Sequence, residues 1–196
     1  MNFERHWLNY LEFIKPFLDV CTDKNVLEIG PLHGYHTSII EKTNPKSVTL
    51  VEPNPDVIEE LKNNFPNYNV IKEDIFDFVE TPQLFDVVVC FGVLYHFHSP
   101  IHLLEKIVNN FNPKIILIES LFLNDGNIAR ISDEDDNKKG SRIFNGKSAK
   151  IHIVYNTNVI IRAMINLGYE LETKEQIPMT NVDSKNNMTL LIFKNK

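Results

Sequence analysis

Short apolar runs alternate with amphipathic segments along most of the chain. Apolar runs bounded by polar or turn residues predict strands that are covered on both faces, and apolar residues three and four positions apart predict helices. The predicted strands are Val26–Ile29, Ser47–Val51, Tyr68–Ile71, Phe85–Phe91 and Lys114–Glu119, and the helices between them are Thr37–Lys42, Asp56–Phe65 and Ile101–Phe111.

Strands that alternate with helices form a parallel sheet, because right-handed crossovers place helices on both faces. A further helix, Asn158–Leu167, stops at Gly168, and two more strands follow at Tyr169–Glu175 and Met188–Phe193. These last strands are predicted to pair as an antiparallel hairpin. The expected fold class is therefore α/β, with a Rossmann-like doubly wound sheet that is mostly parallel.

Two segments lie outside this alternation. Residues 3–19 have apolar positions at helical spacing and predict an amphipathic N-terminal helix. Residues 124–152 lack any periodicity and include a charged run at 132–140, which is typical either of a lid or loop insertion over a site or of a solvated loop. At 196 residues the whole chain, 1–196, fits one domain.

Composition and charge limit the cellular compartment and the classes of partner that we expect for the protein. A hydrophobic fraction of 43% suffices for a full core, and no apolar run approaches the length of a membrane span. The first residues lack the pattern of a signal peptide. Cys21 and Cys90 have no metal or disulfide spacing, so we expect buried thiols and a cytoplasmic, reducing setting. The net charge of −6 argues against coating of nucleic acid.

The stretch VLEIGPLHGYH, residues 26–36, predicts a strand, a glycine turn and the start of a helix. Gly30 and Gly34 allow a backbone to come close to a ligand, and Glu28 lies near the carboxyl edge of the strand. The spacing E-x-G-x-x-x-G differs from the dinucleotide fingerprint G-x-G-x-x-G, because Leu32 occupies the place of the middle glycine. A carboxylate here suits hydroxyls or an amino group and would repel a phosphate.

A second acid, Glu52, ends the second predicted strand about 20 residues beyond the glycine turn. Acids at this place bind ribose hydroxyls, and a carboxylate can accept from both hydroxyls at once. The alternative is an ordinary surface acid at a strand end.

These motifs together resemble a known family. The stretch around Glu28 is similar to the first motif of class I S-adenosylmethionine-dependent methyltransferases. GYH at 34–36, GVLYHFHSP at 92–100 and IILIESLFLNDGN at 115–127 resemble segments of the bacterial tRNA wobble-uridine carboxymethyltransferases. The resemblance covers roughly residues 25–169.

The resemblance implies S-adenosylmethionine as cofactor, with Asp74 on the adenine amino group and Ile75 against the ring. It also implies that the N-terminal helix covers the cofactor or substrate side; a plain core-facing helix is the alternative. The cofactor-binding residues expected on this basis are Glu28, Gly30, Pro31, Gly34, Tyr35, Glu52, Pro53, Asp74, Ile75, Phe91 and Gly92.

Two departures separate the chain from the tRNA enzymes. It reaches its glycine turn at Gly30, without their long N-terminal extension, and it has TNVDSKNNMTL at 180–190 where they have an arginine-rich segment. Without those cations the extra carboxylate of a carboxylated cofactor would be poorly neutralised, so ordinary S-adenosylmethionine is expected.

Methyl transfer needs chiefly placement of the acceptor, and a base only when the acceptor must lose a proton. His96 is the predicted base, with Tyr95 of the GVLYH motif as a second catalytic candidate; shaping of the site by hydrogen bonds is the alternative for His96. No H-E-x-x-H or Cys/His pairing accompanies the histidines, so no metal is expected. Cys90 is not expected to be a catalytic thiolate, because it lies inside an apolar run and follows Val89, whereas cytosine C5 enzymes have a Pro-Cys pair.

The leading hypothesis is an enzyme that methylates a small-molecule acceptor. A catalytically silent methyltransferase-like binding module is the second. A nucleic-acid substrate is the third, although it is not favoured; it depends on a cluster of basic residues, Lys138, Lys139, Arg142, Lys147 and Lys150. The sequence indicates no membrane partner and leaves the oligomeric state open.

Overall fold

A seven-stranded sheet with helices on both faces organises the protein. The computed structural model describes residues 3–123, 127–133, 143–144, 147–148, 151–177 and 186–196. The strands of the main sheet are β1 (Asn25–Ile29), β2 (Ser47–Val51), β3 (Asn69–Ile71), β4 (Val87–Phe91), β5 (Ile115–Leu123), β10 (Tyr169–Gln176) and β11 (Asn186–Asn195), and β6 to β9 lie between β5 and β10 in the chain.

The order across the sheet is β10-β11-β5-β4-β1-β2-β3. The strands β1 to β5 run parallel to one another, whereas β11 runs antiparallel to both β5 and β10. The chain moves outward from β1 to β3 and then returns to place β4 on the other side of β1. A crevice at the carboxyl ends of the strands is expected where this reversal occurs. The predicted fold class is confirmed.

Six helices within the described residues cover the two faces of the sheet. They are α1 (Phe3–Leu18), α2 (Thr37–Lys42), α3 (Pro55–Asn64), α4 (Ile75–Phe78), α5 (Pro100–Phe111) and α6 (Thr157–Asn166). Ile14, Ile40 and Leu61 pack on the face that α1, α2 and α3 share, which we call the α1–α3 face. The other face is covered by α4, α5 and α6 through residues such as Phe78, Ile107 and Met164.

Most element boundaries agree with the sequence within two residues, and three features differ. The strand β5 continues to Leu123, beyond the predicted end at Glu119, because β11 pairs with it along its whole length. The short helix α4 was not predicted. Pro100 takes the first turn of α5 as expected from its fixed φ, but the Ser99 side chain makes no capping hydrogen bond.

The segment 124–152 contains strands that its irregular sequence did not predict. The strand β6 (Ala129–Asp133) pairs antiparallel with β9 (Ile151–Tyr155), and β7 (Ile143–Phe144) pairs with β8 (Lys147–Ser148). The strand β9 packs against β5 and against the turn that follows β4. The basic residues Lys138, Lys139, Arg142 and Lys150 lie outside the described residues, as does the Lys147 side chain.

Two further predictions concern burial and membranes. Cys21 and Cys90 are free and buried, which confirms their role as packing residues. Among the helices of the described residues, none combines the length and the apolar character that crossing a bilayer requires.

Candidate active site

Three acidic side chains line up along one edge of the sheet. Glu28 lies in β1 one residue before its end, Glu52 directly follows β2, and Asp74 comes three residues after β3. Because β1, β2 and β3 are adjacent and parallel, their carboxyl ends meet at the same edge. The structure therefore brings together the three acids that the sequence singled out.

Glu52 joins the glycine turn to the end of β2. Its Oε2 accepts a hydrogen bond from the Leu32 backbone N–H at 3.0 Å, and its Oε1 accepts one from the Asn54 N–H at 2.8 Å. The side chain is only 5% exposed, and burial raises its pKa while the two amides oppose that rise. Each carboxylate oxygen has a second lone pair, so this geometry also permits hydrogen bonds from ribose hydroxyls.

Glu28 is buried on the α1–α3 face. The hydroxyl of Thr37, the first residue of α2, donates to Glu28 Oε2 at 2.7 Å. Burial raises the pKa of this carboxyl to about 7; the Thr37 hydrogen bond lowers it, and the nearby Glu52 carboxylate raises it further. A cation placed beside Glu28 would stabilise the ionised form, so the site suits an amino group.

Asp74 caps the helix α4. Its Oδ1 accepts from the Phe76 N–H at 2.9 Å, and Ile75, the first helical residue, is buried. Capping alone is a sufficient structural reason for an acid at this position. Contact with an adenine ring therefore remains a prediction for Asp74 and Ile75.

The glycine turn has a backbone that few residues can adopt. Gly30 and Gly34 have φ angles of 66° and 77°, and Leu32 between them has 51°. A Cβ on Gly34 would lie 2.4 Å from the Phe65 ring, and one on Gly30 would lie 2.9 Å from Val93. Intramolecular packing therefore requires both glycines, whether or not a ligand also approaches them.

Leu32 stands where the family motif often has glycine, and its left-handed conformation explains that preference. In this left-handed conformation the Leu32 backbone N–H donates a hydrogen bond to Glu52. Near it, Pro31 is buried, whereas Tyr35 is 53% exposed and Pro53 is half-buried. These residues surround the turn in positions compatible with the predicted cofactor contacts.

The turn after β4 forms the next part of the edge. Phe91 ends β4, and Gly92 adopts a φ of 68° and donates its N–H to the Glu119 carbonyl at 2.9 Å. Tyr95 and His96 follow in a single 3-10 turn, Leu94–His96, with their ring centroids 4.4 Å apart. Both side chains are half-buried and follow the carboxyl end of β4. Their catalytic role stays a prediction.

The sequence did not reveal a second polar group on the α1–α3 face. Glu119 in β5 lies in register with Phe91 and is 2% exposed, and burial raises its pKa to about 8. Tyr10 of α1 hydrogen-bonds His36 across 2.9 Å between Oη and Nε2 and also interacts with Glu119. Burial lowers the pKa of His36 to about 4, so this imidazole is neutral near pH 7.

One signal could have identified Glu119 from the sequence. It is an acid inside the apolar run KIILIE, as Glu28 is inside VLEI, and such an acid is expensive to bury without a purpose. Tyr10 carried no such signal, because helical periodicity does not show which strand end a helix reaches. It lies over the crevice because α1 packs on the face that carries Glu28 and Glu119.

The other histidines have separate surroundings. His33 Nδ1 lies 2.9 Å from Glu60 Oε2 at the surface, and His98 is exposed. No group of three or more metal-ligating side chains occurs within the part of the chain that the structure describes.

The carboxyl groups along this edge of the sheet fit S-adenosylmethionine. Glu52 can accept from ribose hydroxyls, and the buried Glu28 suits an amino group. No lysine or arginine is among the described residues that shift the pKa values of Glu28, Glu52 and Glu119. These acids disfavour a phosphate-bearing dinucleotide and suit a cationic nucleoside.

Comparison with known proteins agrees with this geometry. The methyltransferase domain family matches residues 5–174. A tRNA U34 carboxymethyltransferase of Campylobacter fetus subsp. fetus (strain 82-40) is 30% identical over 129 residues, which are 61% of this chain and 45% of that protein. The chain thus spans less than half the length of this curated relative.

Solved structures share the fold at low identity. The N-terminal domain of EvdMO1, crystallised in the presence of S-adenosylhomocysteine and D-fucose, aligns with a TM-score of 0.72 at 15% identity, covering 96% of this chain and 83% of that one. A putative S-adenosylmethionine-dependent methyltransferase of Listeria monocytogenes aligns with a TM-score of 0.73 at 14% identity, covering 96% and 99%. The chain belongs to the methyltransferase domain family, which confirms the predicted class I S-adenosylmethionine-dependent methyltransferase.

Proposed function

We propose that the protein transfers a methyl group from S-adenosylmethionine to a small-molecule acceptor. The observation that carries the proposal is the row of Glu28, Glu52 and Asp74 at three adjacent strand ends. The acids disfavour anionic ligands, which argues for the ordinary cofactor over a carboxylated one. The N-terminal domain of EvdMO1, which shares this fold, was crystallised in the presence of the sugar D-fucose.

Each residue of the row has a role in holding the cofactor, which supplies an already activated methyl group when bound. Glu52 orients the ribose, Glu28 neutralises the amino group, and Asp74 with Ile75 holds the adenine. Gly30, Pro31, Gly34 and Tyr35 shape the turn beneath it. Placement of this kind contributes up to about 7–11 kcal/mol to a two-substrate reaction in favourable models.

The acceptor would enter beside Phe91, Gly92, Tyr95 and His96. The strand β9 packs against the turn that carries Tyr95 and His96, which supports a role for the 124–152 segment as a cover on this side. His96 would accept a proton from the acceptor or hold it by a hydrogen bond. A pH–rate profile that loses one ionisation in His96→Gln would support the first role, and an unchanged profile would support the second.

Calorimetric titration with S-adenosylmethionine tests cofactor binding. Glu52→Gln should weaken binding by about ten- to a hundredfold, because hydrogen bonds to a charged acceptor contribute about 1.5–3 kcal/mol. Glu59→Gln is the matched control, since Glu59 is an exposed side chain on α3 paired only with Lys62 among the described contacts. Equal binding by both variants would contradict the proposal.

Turnover needs a separate measurement. Formation of S-adenosylhomocysteine with a panel of hydroxyl, amine and carboxylate acceptors is the expected result. Tight cofactor binding with no product from any acceptor would favour the silent binding module instead.

A tRNA substrate is the second candidate, because the Campylobacter relative carries that name. A shift of labelled tRNA at low salt that disappears when Lys138, Lys139 and Lys147 are replaced would support it. The absence of any shift at low salt would remove this candidate.

We also propose a cytoplasmic location. Free, buried Cys21 and Cys90 support a reducing setting. Fractionation of cells that produce the tagged protein would test it, and recovery outside the cytoplasm would contradict it.

A further inference from the structure

A buried carboxyl group at the ends of β4 and β5 is not among the residues assigned above to the cofactor. Glu119 is 2% exposed, and its Oε1 atom makes no hydrogen bond to any residue that the structure describes. A buried polar atom of this kind is costly, and most such atoms in proteins have a partner. The position is therefore suited to a hydrogen-bond donor that a ligand brings.

The neighbours of Glu119 leave room beside it. A Cβ built on Gly92 would lie 3.9 Å from Glu119 Oε2 and 3.9 Å from the Tyr95 hydroxyl oxygen, so both groups face the space that this glycine leaves open. Apart from the glycine and its two chain neighbours, no backbone atom of the described residues lies within that distance. Gly92 differs in this respect from Gly34, whose missing side chain is replaced by the Phe65 ring.

Aromatic rings line the same place. The Tyr10 ring meets His36 edge-on at 5.7 Å, and His36 meets Phe91 edge-on at 5.2 Å. Tyr10 also interacts electrostatically with Glu119, Tyr95 and Glu28, which places its phenol among these groups. A carboxylate beside aromatic rings is the arrangement that binds ammonium groups in proteins.

The acidic groups of the crevice disfavour an anionic acceptor. Glu28 and Glu52 accept hydrogen bonds from Thr37, Leu32 and Asn54. The Glu119 carboxyl accepts one from Tyr10, but its Oε1 atom has no partner among the residues that the structure describes. No lysine or arginine is among the described residues that shift the Glu119 pKa. The ionised Glu119 would therefore repel a carboxylate or phosphate on the acceptor, because no cation compensates the charge.

We propose that Glu119, Tyr10 and Tyr95 form the acceptor subsite and that the acceptor is a small organic amine. The inference rests on the proposed function, and it names the substrate class. The positive charge of the bound ammonium lowers the pKa of Glu119 and keeps it ionised in the complex. The ammonium then gives one proton to the Glu119 carboxylate, and the amine nitrogen takes the methyl group. The N–C bond forms as the S–C bond breaks, and the bonding pair remains on sulfur.

Three probes with the same carbon chain test the ligand class. Butylamine, butanol and butyrate are titrated into protein saturated with S-adenosylhomocysteine, and binding is followed by NMR. Butylamine should bind at least about tenfold more tightly than butanol, since a charged hydrogen bond exceeds a neutral one, and butyrate should not bind. Equal affinity for butylamine and butanol would overturn the proposal.

Variants locate the subsite. Glu119→Gln should weaken butylamine binding about tenfold and leave the affinity for S-adenosylhomocysteine unchanged. Glu41→Gln, an exposed acid on α2, should change neither. Tyr10→Phe keeps the ring and removes the hydroxyl, so it should weaken butylamine binding even if Glu119→Gln does not fold.

The failures are distinguishable. If Glu119→Gln weakens S-adenosylhomocysteine binding as much as butylamine binding, Glu119 belongs to the cofactor pocket and the amine subsite is wrong, although the proposed function stands. If the unmodified protein does not bind S-adenosylhomocysteine, the proposed function itself fails.

Discussion

At the scale of single residues, the crevice depends on carboxyl groups held by the protein's own donors. Glu52 accepts from two backbone amides and Glu28 accepts from Thr37, so both side chains are oriented before any ligand arrives. Their burial makes the ionised forms costly, and cationic ligands would restore them. This preorganisation is the physical basis for expecting a nucleoside that carries a sulfonium and an amino group.

Cofactor binding should release protons. Glu28 has a pKa of about 7 and is mostly protonated at about pH 6.5, and an amino group beside it lowers that pKa. Titration with S-adenosylmethionine in buffers of different ionisation enthalpy should therefore give different apparent enthalpies. Identical enthalpies in all buffers would contradict the placement of the amino group at Glu28.

The glycines differ in what they tolerate. Gly34→Ala places a Cβ 2.4 Å from Phe65 at a φ of 77°, so it should destabilise the fold by more than about 2 kcal/mol. Gly168→Ala meets no atom within 4 Å, and only its φ of 94° opposes the change, so about 1–2 kcal/mol is expected. Urea unfolding of both variants measures the difference, and a smaller loss for Gly34→Ala would show that Phe65 moves aside.

At the scale of elements, the strands and helices with strong apolar patterns were predictable. The alternation of β1 to β5 with α2, α3 and α5 follows from apolar runs and helical spacing, and these elements are found where they were expected. The strands β6 and β9 were not predicted, because β6, with the sequence ARISD, has few apolar residues, and the short apolar run of β9, IHIVY, follows a long charged stretch. The end of β5 was also not predicted, because its pairing with β11 joins distant parts of the chain.

Helix caps give a second test at this scale. The Asn156 side chain accepts from the Asn158 N–H at 3.0 Å and caps α6, whereas Ser99 before α5 makes no such bond. Asn156→Ala should therefore cost about 0.5–2 kcal/mol of stability, and Ser99→Ala should cost less. Thermal unfolding of the two variants checks the order, and a larger loss for Ser99→Ala would contradict it.

At the scale of the whole molecule, the site arises where separate elements meet at one edge. Glu28, Glu52 and Asp74 were predictable because each follows or ends a strand with a clear pattern. The contact between Tyr10 and Glu119 was not, because it depends on how α1 packs across the sheet. The proposed acceptor subsite therefore contains the residues that local sequence reveals least.

The buried acids also affect global stability. The folded pKa values of Glu28 and Glu119, about 7 and 8, exceed the unfolded value of 4.5, so the folded protein binds more protons and stability falls as pH rises toward 8. Burial lowers the pKa of His36 from 6.5 to about 4, so the unfolded protein binds more protons at this group and stability rises with pH, but only below about pH 6.5. The free energy of unfolding in urea should thus fall between about pH 6.5 and 8, and less steeply in Glu119→Gln. A rise over this range would contradict the burial of these carboxyl groups.

The most direct test of the central claim is a crystal structure of the protein with S-adenosylhomocysteine. The ribose hydroxyls should lie within hydrogen-bond distance of Glu52, the adenine beside Asp74 and Ile75, and the amino group near Glu28. A nucleoside bound elsewhere, or a Glu52 side chain that contacts only the Leu32 and Asn54 amides with the ligand present, would contradict the claim.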